Sequence, residues 1–360
     1  MQCQIVTGGA GFIGSCYVLM ARQSGIRVIT LDKLTYCGNL DNLASLRDDK
    51  DHIFVQGDIG DHDLVLSLMQ QHKPDAVINF AAESHVDRSI KDPDSFVRSN
   101  VLGTTSLLRA TLAWWQSLSA DGRKNFRFLH VSTDEVFGSL GPQDPAFTET
   151  TPYSPNSPYS ASKAASDHFV RAFYETYGLP VLLTNCSNNY GPRQFPEKLV
   201  PLTIVNALKG VPLPIYGTGG NIRDWLHVED HCRAIALVAA KAAVGSSYNI
   251  GGNAEHTNIA VVRSICRILD ELRPLMKLHP ENSCKNYEEK IEFVADRPGH
   301  DWRYAMNCSR IKADLGWEPA YSFEDGLRQT VLWYLENSEW VERVQSGEYR
   351  NWLADNYGSR

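Results

Sequence analysis

Gln2-Cys3-Gln4-Ile5-Val6-Thr7-Gly8-Gly9-Ala10-Gly11-Phe12-Ile13-Gly14 decides the fold. A short run centred on Ile5 and Val6 reads as a buried strand. It breaks into spaced glycines, and an apolar-periodic segment then resumes through Ala21. Strand, glycine turn and helix in that order open a doubly wound parallel sheet. Gly8 permits the tight turn, Gly11 lets a pyrophosphate approach the backbone, and Gly14 allows close helix packing. Phe12 and Ile13 stand inside that turn, and the helix start behind them offers free N–H groups to phosphates.

Working outward, the same alternation repeats. Arg27-Val28-Ile29-Thr30-Leu31 reads as a second strand and ends at Asp32. An acid there hydrogen-bonds an adenosine ribose and repels a 2′-phosphate, which favours NAD over NADP. Lys33, next to it, softens that preference without reversing it. A third strand at Ile53-Phe54-Val55 ends at Gly57-Asp58-Ile59, placed to touch an adenine. A helix over 64–71 follows, then a strand at Ala76-Val77-Ile78-Asn79-Phe80. Ala81-Ala82-Glu83-Ser84-His85 closes it with small residues that leave room for a cofactor. One long helix is expected over about 95–117, with Asn100 inside it.

Leu129-His130-Val131-Ser132-Thr133-Asp134-Glu135-Val136-Phe137-Gly138 is an apolar run that stops at a hydroxyl and two carboxylates. Ligands of open α/β sheets bind outside the carboxyl ends of the strands, so this stretch aims Thr133, Asp134 and Glu135 at a substrate. Adjacent carboxylates repel, which raises one pKa and leaves an acid beside a base. Both can face one substrate only if the strand breaks after Thr133, because neighbouring strand side chains point to opposite faces. Further on, Ser157-Pro158 opens a helix carrying Tyr159 and Lys163, four apart and therefore on one face. An ammonium beside a phenol favours the phenolate, a base able to take an alcohol proton.

Past the strand Val181-Leu182-Leu183-Thr184 and the run Asn188-Asn189-Tyr190-Gly191-Pro192, the pattern loosens. Phe195-Pro196-Glu197-Lys198-Leu199, Gly217-Thr218-Gly219-Gly220 and Asn221-Ile222-Arg223-Asp224-Trp225 do not read as sheet core. Lys198 and Arg223 suit a diphosphate, and Tyr216 or Trp225 a base or sugar pocket; surface salt bridges around a loop are the plainer alternative. Helices are expected over 228–243 and 258–275. Asp296-Arg297-Pro298-Gly299-His300-Asp301 reads as a rigid polar loop, and a last helix is expected over 323–337. The expected architecture is α/β, a doubly wound Rossmann-type parallel sheet with a smaller, mixed C-terminal substrate domain. The first domain spans 1–187, with a core-returning segment near 226–250, and 188–360 is mainly the second.

The chain has 360 residues and a net charge of -7, which argues against a nucleic-acid or anionic-membrane surface. No apolar run approaches the ~20 residues that span a bilayer, and the start shows no charged-then-apolar leader; a cytoplasmic protein is expected. The eight cysteines are scattered with no C-x-x-C pair, so no disulfide framework is expected. His227 and His231 are four apart with no evident third ligand, so they read as structural histidines and no metal site is expected.

These motifs together resemble the extended short-chain dehydrogenase/reductase superfamily and, within it, the dTDP-glucose 4,6-dehydratases. The resemblance rests on the glycine turn, Asp32-Lys33-Leu34-Thr35-Tyr36 and Ala82-Glu83-Ser84-His85-Val86-Asp87-Arg88-Ser89. It rests equally on Ser132-Thr133-Asp134-Glu135-Val136, Tyr159-x-x-x-Lys163 and Asn185-Cys186-Ser187-Asn188-Asn189-Tyr190-Gly191-Pro192. Arg223-Asp224-Trp225 and the 296–301 loop extend it over nearly the whole chain. Cys37 stands where alanine is expected, and Arg193-Gln194 where aromatic or histidine residues are more usual.

The resemblance implies an NAD-dependent lyase acting on dTDP-glucose, as a homodimer, with the cofactor regenerated at each turnover. Tyr159 and Lys163 would serve C4 oxidation, with Thr133 placing the oxygen. Glu135 would then take the C5 proton and Asp134 would protonate the departing 6-hydroxyl. It assigns the cofactor to the residues already named for it, with Thr35, Ala81, Ala82, Ser84, Ser99, Tyr159, Lys163 and Asn188. It assigns the substrate to Ser84, Thr133, Asn189, Lys198, Leu199, Pro214, Tyr216, Arg223, Asn258, Asp296 and His300. The alternatives are a 4-epimerase or decarboxylase of the same superfamily and a non-catalytic NAD-binding regulator.

Overall fold

The structure is a computed structural model and describes residues 1–345. Positions 346–360 of the expected second domain lie outside the described residues. The chain begins β1 (Cys3–Thr7), α1 (Phe12–Gln23), β2 (Arg27–Asp32), β3 (His52–Gln56), α2 (His62–His72) and β4 (Ala76–Asn79). Next come α3 (Val86–Lys91), α4 (Pro93–Phe96), a π-helical stretch (Val97–Gly103), α5 (Thr104–Ser117), α6 (Ala120–Asn125) and β5 (Arg127–Thr133). After a 3-10 turn (Asp134–Phe137) and a loop lie α7 (Pro158–Tyr177), β6 (Val181–Cys186), β7 (Asn188–Tyr190), α8 (Leu199–Leu208) and β8 (Leu213–Tyr216). The chain continues through β9 (Ile222–His227), α9 (Val228–Lys241), β10 (Ser247–Ile250), β11 (Glu255–Thr257) and α10 (Asn258–Leu272). It ends with α11 (Leu275–Leu278), β12 (Ile291–Val294), α12 (Ser309–Leu315), α13 (Phe323–Glu336) and α14 (Ser338–Val344).

Seven strands form one sheet in the order β10-β6-β5-β4-β1-β2-β3. Every pairing in it is parallel. Strand order reverses between β1 and β4, and a ligand crevice belongs at that switch point. One face packs against α1 and α9 through residues such as Val18, Ile235 and Val238. The other packs against α2, α5 and α7 through Met69, Leu107 and Val170. A parallel sheet needs both faces covered, and its strand interiors, including Ile5, Ile29, Ile78 and Leu182, have no exposed surface. A second apolar cluster joins α8, α10 and α13 around Ile204, Ile265 and Val331. Among the described residues no helix is long and apolar enough to cross a membrane.

The helix that carries Tyr159 and Lys163 has strong punctuation. Ser157 and Ser160 form a reciprocal capping box, Pro158 occupies the first turn, and Gly178 ends the helix at φ 71°. Proline fixes a helical φ where no N–H is needed, and glycine takes the left-handed stop without strain. Tyr159 therefore sits in the first turn, where the helix is held most firmly against the end of β5.

Three expectations need correction. Asn221-Ile222-Arg223-Asp224-Trp225 is not a loop: Ile222–His227 is the central strand of a three-stranded sheet, paired with β7 and β11. Its charges are buried, with Arg223 donating to the Asp301 carbonyl at 2.9 Å and Asp224 Oδ1 accepting from Ala254 N at 2.8 Å, while Asp224 Oδ2 has no partner among the described residues. The helix expected over 95–117 is interrupted by the π-helical stretch, because the Asn100 amide is drawn aside. Its Nδ2 donates to the Glu83 carbonyl at 2.9 Å and to Ser162 Oγ at 2.8 Å. A π-bulge at such a place is a common device near functional sites. Finally, 323–337 is not the last helix, since α14 follows and seats Trp340 against Asn42 through a 2.9 Å hydrogen bond.

Candidate active site

One cavity runs along the carboxyl ends of β1, β2, β4, β5 and β6. Its glycine end is built by contact. Gly8 has φ +66°, and a Cβ on Gly14 would lie 2.2 Å from the Gly8 carbonyl oxygen. Gly11 caps α1 with no side-chain hydrogen bond, and the first turn carries no acid. The leading N–H groups of α1 therefore face the cavity without a protein acceptor, which suits a pyrophosphate.

Asp32 closes the far side, its carboxylate accepting from Ala10 N at 2.9 Å and Leu34 N at 2.8 Å. Lys33 is held by Asp58 at 2.7 Å, so its charge is engaged rather than free to grip a 2′-phosphate. The chain's residues fit NAD at this end. Every residue assigned to the cofactor by resemblance, from Gly8 to Asn188, lines this one cavity. Gly14→Ala is expected to cost most of the bound NAD, because the new methyl meets the Gly8–Gly9 backbone just past β1. Releasing the nucleotide from purified protein and quantifying it checks this.

The reactive end lies where β5 stops. Backbone leaves the extended conformation after Thr133 and enters the 3-10 turn, so Asp134 and Glu135 no longer alternate across the sheet. Thr133, Asp134, Glu135, Tyr159 and Lys163 all line the cavity. Asp134 is 2 % exposed; Thr133 Oγ1 donates to its Oδ1 at 3.2 Å, and Oδ2 has no partner among the described residues. Burial, reinforced by the Glu135 charge, pushes the Asp134 carboxyl well above its ordinary value, which favours its neutral form. Glu135 is also raised by burial, but Arg297, Lys198 and Arg223 oppose the rise. Both carboxyls are raised, Asp134 the more strongly, which suits Asp134 to the acid and Glu135 to the base.

Tyr159 departs from expectation. Its phenol is raised well above its ordinary value by burial and by the Glu135 charge, with the Thr133 hydroxyl pulling the other way. The Lys163 ammonium donates to the Val131 carbonyl at 2.8 Å, and among the described residues no hydrogen bond joins it to Tyr159. Four-residue spacing put both groups on one face, as expected, but did not make them partners in the protein alone.

The expected substrate residues divide. Ser84, Thr133, Asn189 and Lys198 line the cavity, and Lys198 Nζ donates to the Ser84 carbonyl at 3.1 Å. Leu199, Pro214, Tyr216, Arg223, Asn258, Asp296 and His300 do not line it. Arg223 lies behind, 4.3 Å over the Tyr304 ring, with its charge felt at both carboxylates. Tyr216 donates to Asp87 Oδ2 at 3.1 Å and meets the His300 ring edge-on, while His300 pairs with Asp296 at 2.7 Å. Pro214 sits on β8, and Leu199 and Asn258 open α8 and α10. Trp225 lines no pocket of this site: it is 6 % exposed and packs on Tyr190 and Phe323. His227 and His231 open α9, and His231 Nδ1 lies 2.9 Å from Asn189 Oδ1.

Sequence reasoning passed over Glu197. It is buried, lines the cavity, and accepts a 3.0 Å hydrogen bond from Tyr36. Burial lifts its carboxyl to about 7 despite Lys198 and Arg88 nearby. No spacing in the sequence pairs position 197 with 36, so the only signal was a lone acid in a proline-containing run.

Comparison with known proteins agrees with this geometry. The family model described as GDP-mannose 4,6 dehydratase matches residues 5–330. A dTDP-glucose 4,6-dehydratase of Xanthomonas campestris pv. campestris is 61% identical over 97% of this chain and 98% of its own. That of Salmonella typhimurium is 50% identical over 99% of both. A dTDP-glucose 4,6-dehydratase structure from Streptomyces venezuelae, with NAD bound, superposes with a TM-score of 0.84 at 44% identity, covering 95% of this chain and 100% of that one. A UDP-glucose 4-epimerase from Thermotoga maritima reaches 0.81 at 27% identity over 94% of this chain and 100% of its own, so fold alone does not separate the two activities. With half or more of its residues shared with dehydratases along almost its whole length, this chain belongs to the dTDP-glucose 4,6-dehydratase family.

Proposed function

We infer that this chain converts dTDP-glucose to dTDP-4-keto-6-deoxyglucose and water, using NAD as a recycled cofactor. The observation that carries it is the pair of carboxylates released by the break of β5 into the cavity that Tyr159 and Lys163 also line. A 4-epimerase has no water to eliminate and no use for a neutral acid beside a charged base.

NAD, which Gly8, Gly11, Gly14 and Asp32 would hold, would supply the acceptor for the C4 hydride and its donor to C6. The chain's own residues move the protons. Tyr159 oxygen accepts the proton of the 4-hydroxyl while the Thr133 hydroxyl, which lowers the phenol's pKa, helps place that oxygen. The ketone then acidifies the C5–H bond, and Glu135 removes that proton and returns one to C5 when the hydride reaches C6. Asp134, neutral through burial, donates to the departing 6-hydroxyl as water forms. Lys198, Arg223 and Arg297 supply the positive charge that a diphosphate requires.

Residues 1–187 with α9 and β10 form the cofactor domain of this reading, and the rest of the chain forms the sugar-nucleotide domain. The strand pairing of β10 with β6 and the packing of α9 on α1 support that division. The protein works as a homodimer in the cytoplasm. Val97, Leu102 and Phe169, apolar yet 47%, 59% and 41% exposed, support a partner surface formed by the π-helical stretch and α7. Incubating the protein with dTDP-glucose and following the alkali-absorbing 4-keto sugar tests the activity; an unchanged 6-hydroxyl with inversion at C4 rejects it.

A further inference from the structure

Behind the reactive face lies a buried polar cluster that the mechanism above does not use. Lys163 Nζ is 3.4 Å from His130 Nε2, and the same nitrogen is 3.4 Å from Asp167 Oδ1. Asn79 Nδ2 lies 2.9 Å from His130 Nδ1, while Asn79 Oδ1 accepts from Thr7 Oγ1 at 2.6 Å. The Asn79 amide is therefore oriented with its NH2 towards the imidazole. That makes Nδ1 the acceptor and leaves the proton on Nε2, which lies 3.3 Å from Ser166 Oγ, while Asp167 Oδ1 accepts no hydrogen bond among the described residues and acts on the cluster through its charge. Ser132 Oγ and Tyr153 OH donate to Asp167 Oδ2 at 2.7 and 3.0 Å, and Asn185 Nδ2 reaches it at 3.4 Å. A carboxylate with three donors on one oxygen, 2 % exposed, is held in one orientation.

The titratable groups around Lys163 leave one counter-charge. His130 is neutral, its pKa lowered to about 4 by burial and by Lys163. The Cys186 thiol on β6 is raised above all by burial and stays protonated. Tyr153 is raised by burial and by Asp167. Tyr159 is the reacting group. Burial lowers Lys163, and Asp167 is the first group that opposes it. A buried ammonium without that opposition gives up its proton, and a neutral lysine does nothing for a phenolate.

We propose that Asp167, its charge acting past the neutral His130 ring, is a positioning residue for the dehydratase reaction that keeps Lys163 charged. The proposal rests on the dehydratase reading above. Its test is the pH profile of the first half-reaction, read as reduced-nicotinamide absorbance in a single turnover of the NAD-loaded enzyme.

In the wild type the alkaline limb marks loss of the Lys163 proton. Asp167→Asn is expected to move that limb to lower pH by about one to three units, as for removal of a nearby opposite charge. Cofactor content and KM should stay near wild type. Asp167→Glu should restore the limb, and Tyr153→Phe, which keeps the carboxylate and removes one donor, should leave it in place. If Asp167→Asn folds poorly, Asp167→Ser carries the same expectation. A uniform fall in rate with an unmoved limb overturns the proposal, and so does a limb that moves equally in Tyr153→Phe. A wild type that never reduces its nicotinamide with dTDP-glucose would instead overturn the dehydratase reading itself.

Discussion

Tyr159→Phe should abolish the first oxidation. With dTDP-glucose added to the NAD-loaded variant, reduced-nicotinamide absorbance should fail to rise, and turnover should fall about 100- to 10,000-fold, the range for loss of one positioned base. The ring itself is not the issue: it packs edge-on against Phe96 at 6.2 Å, and phenylalanine keeps that contact. Cofactor content and thermal stability should therefore stay near wild type. What disappears is the phenol oxygen assigned to receive the 4-hydroxyl proton. The pH sign is also fixed. Burial and the Glu135 charge hold the wild-type phenol high, so the rate of oxidation should climb with pH on its acid side. Undiminished formation of reduced nicotinamide by Tyr159→Phe would remove the residue from this role.

The first half of this molecule was legible because its signals are local. The glycine turn, the acid ending β2 and the apolar strands depend on neighbours within a few positions, and parallel strands buried on both faces advertise themselves as apolar runs. The break after Thr133 was readable only as a requirement of the chemistry, not as a property of Thr133-Asp134-Glu135. Beyond β7 the signals become tertiary. β9 looked like a loop because Arg223 and Asp224 are charged; they are tolerated at 4 % and 1 % exposure through carbonyls and amides supplied from 301 and 254. Burial of charge with such partners leaves no periodic mark in a sequence. Glu197 and Asp167 escaped notice for the same reason: their partners at 36, 132 and 153 are distant along the chain. Tyr159 and Lys163 show the converse limit. Helical spacing placed them on one face, but the backbone carbonyl of Val131 decides where the ammonium points.

Glu135→Gln should separate oxidation from elimination. Removing the carboxylate leaves Asp134 and Tyr159 in place and takes away the group assigned to the C5 proton, so product formation should fall about 100- to 10,000-fold. Oxidation should survive, and the variant should accumulate reduced nicotinamide with a bound 4-keto hexose that keeps its 6-hydroxyl. Two further shifts have fixed signs. The Glu135 charge helps raise Tyr159, so the glutamine should let the phenol ionise more readily and move the acid limb of the oxidation step to lower pH. The same charge is the second cause, after burial, of the raised Asp134 pKa, so Asp134 should lose its proton at lower pH in the variant. A purely structural defect would weaken both half-reactions together and move neither limb. Rapid-quench analysis of sugar products alongside nicotinamide absorbance distinguishes these outcomes. Wild-type yields of the 6-deoxy product from Glu135→Gln would assign the C5 proton to another base.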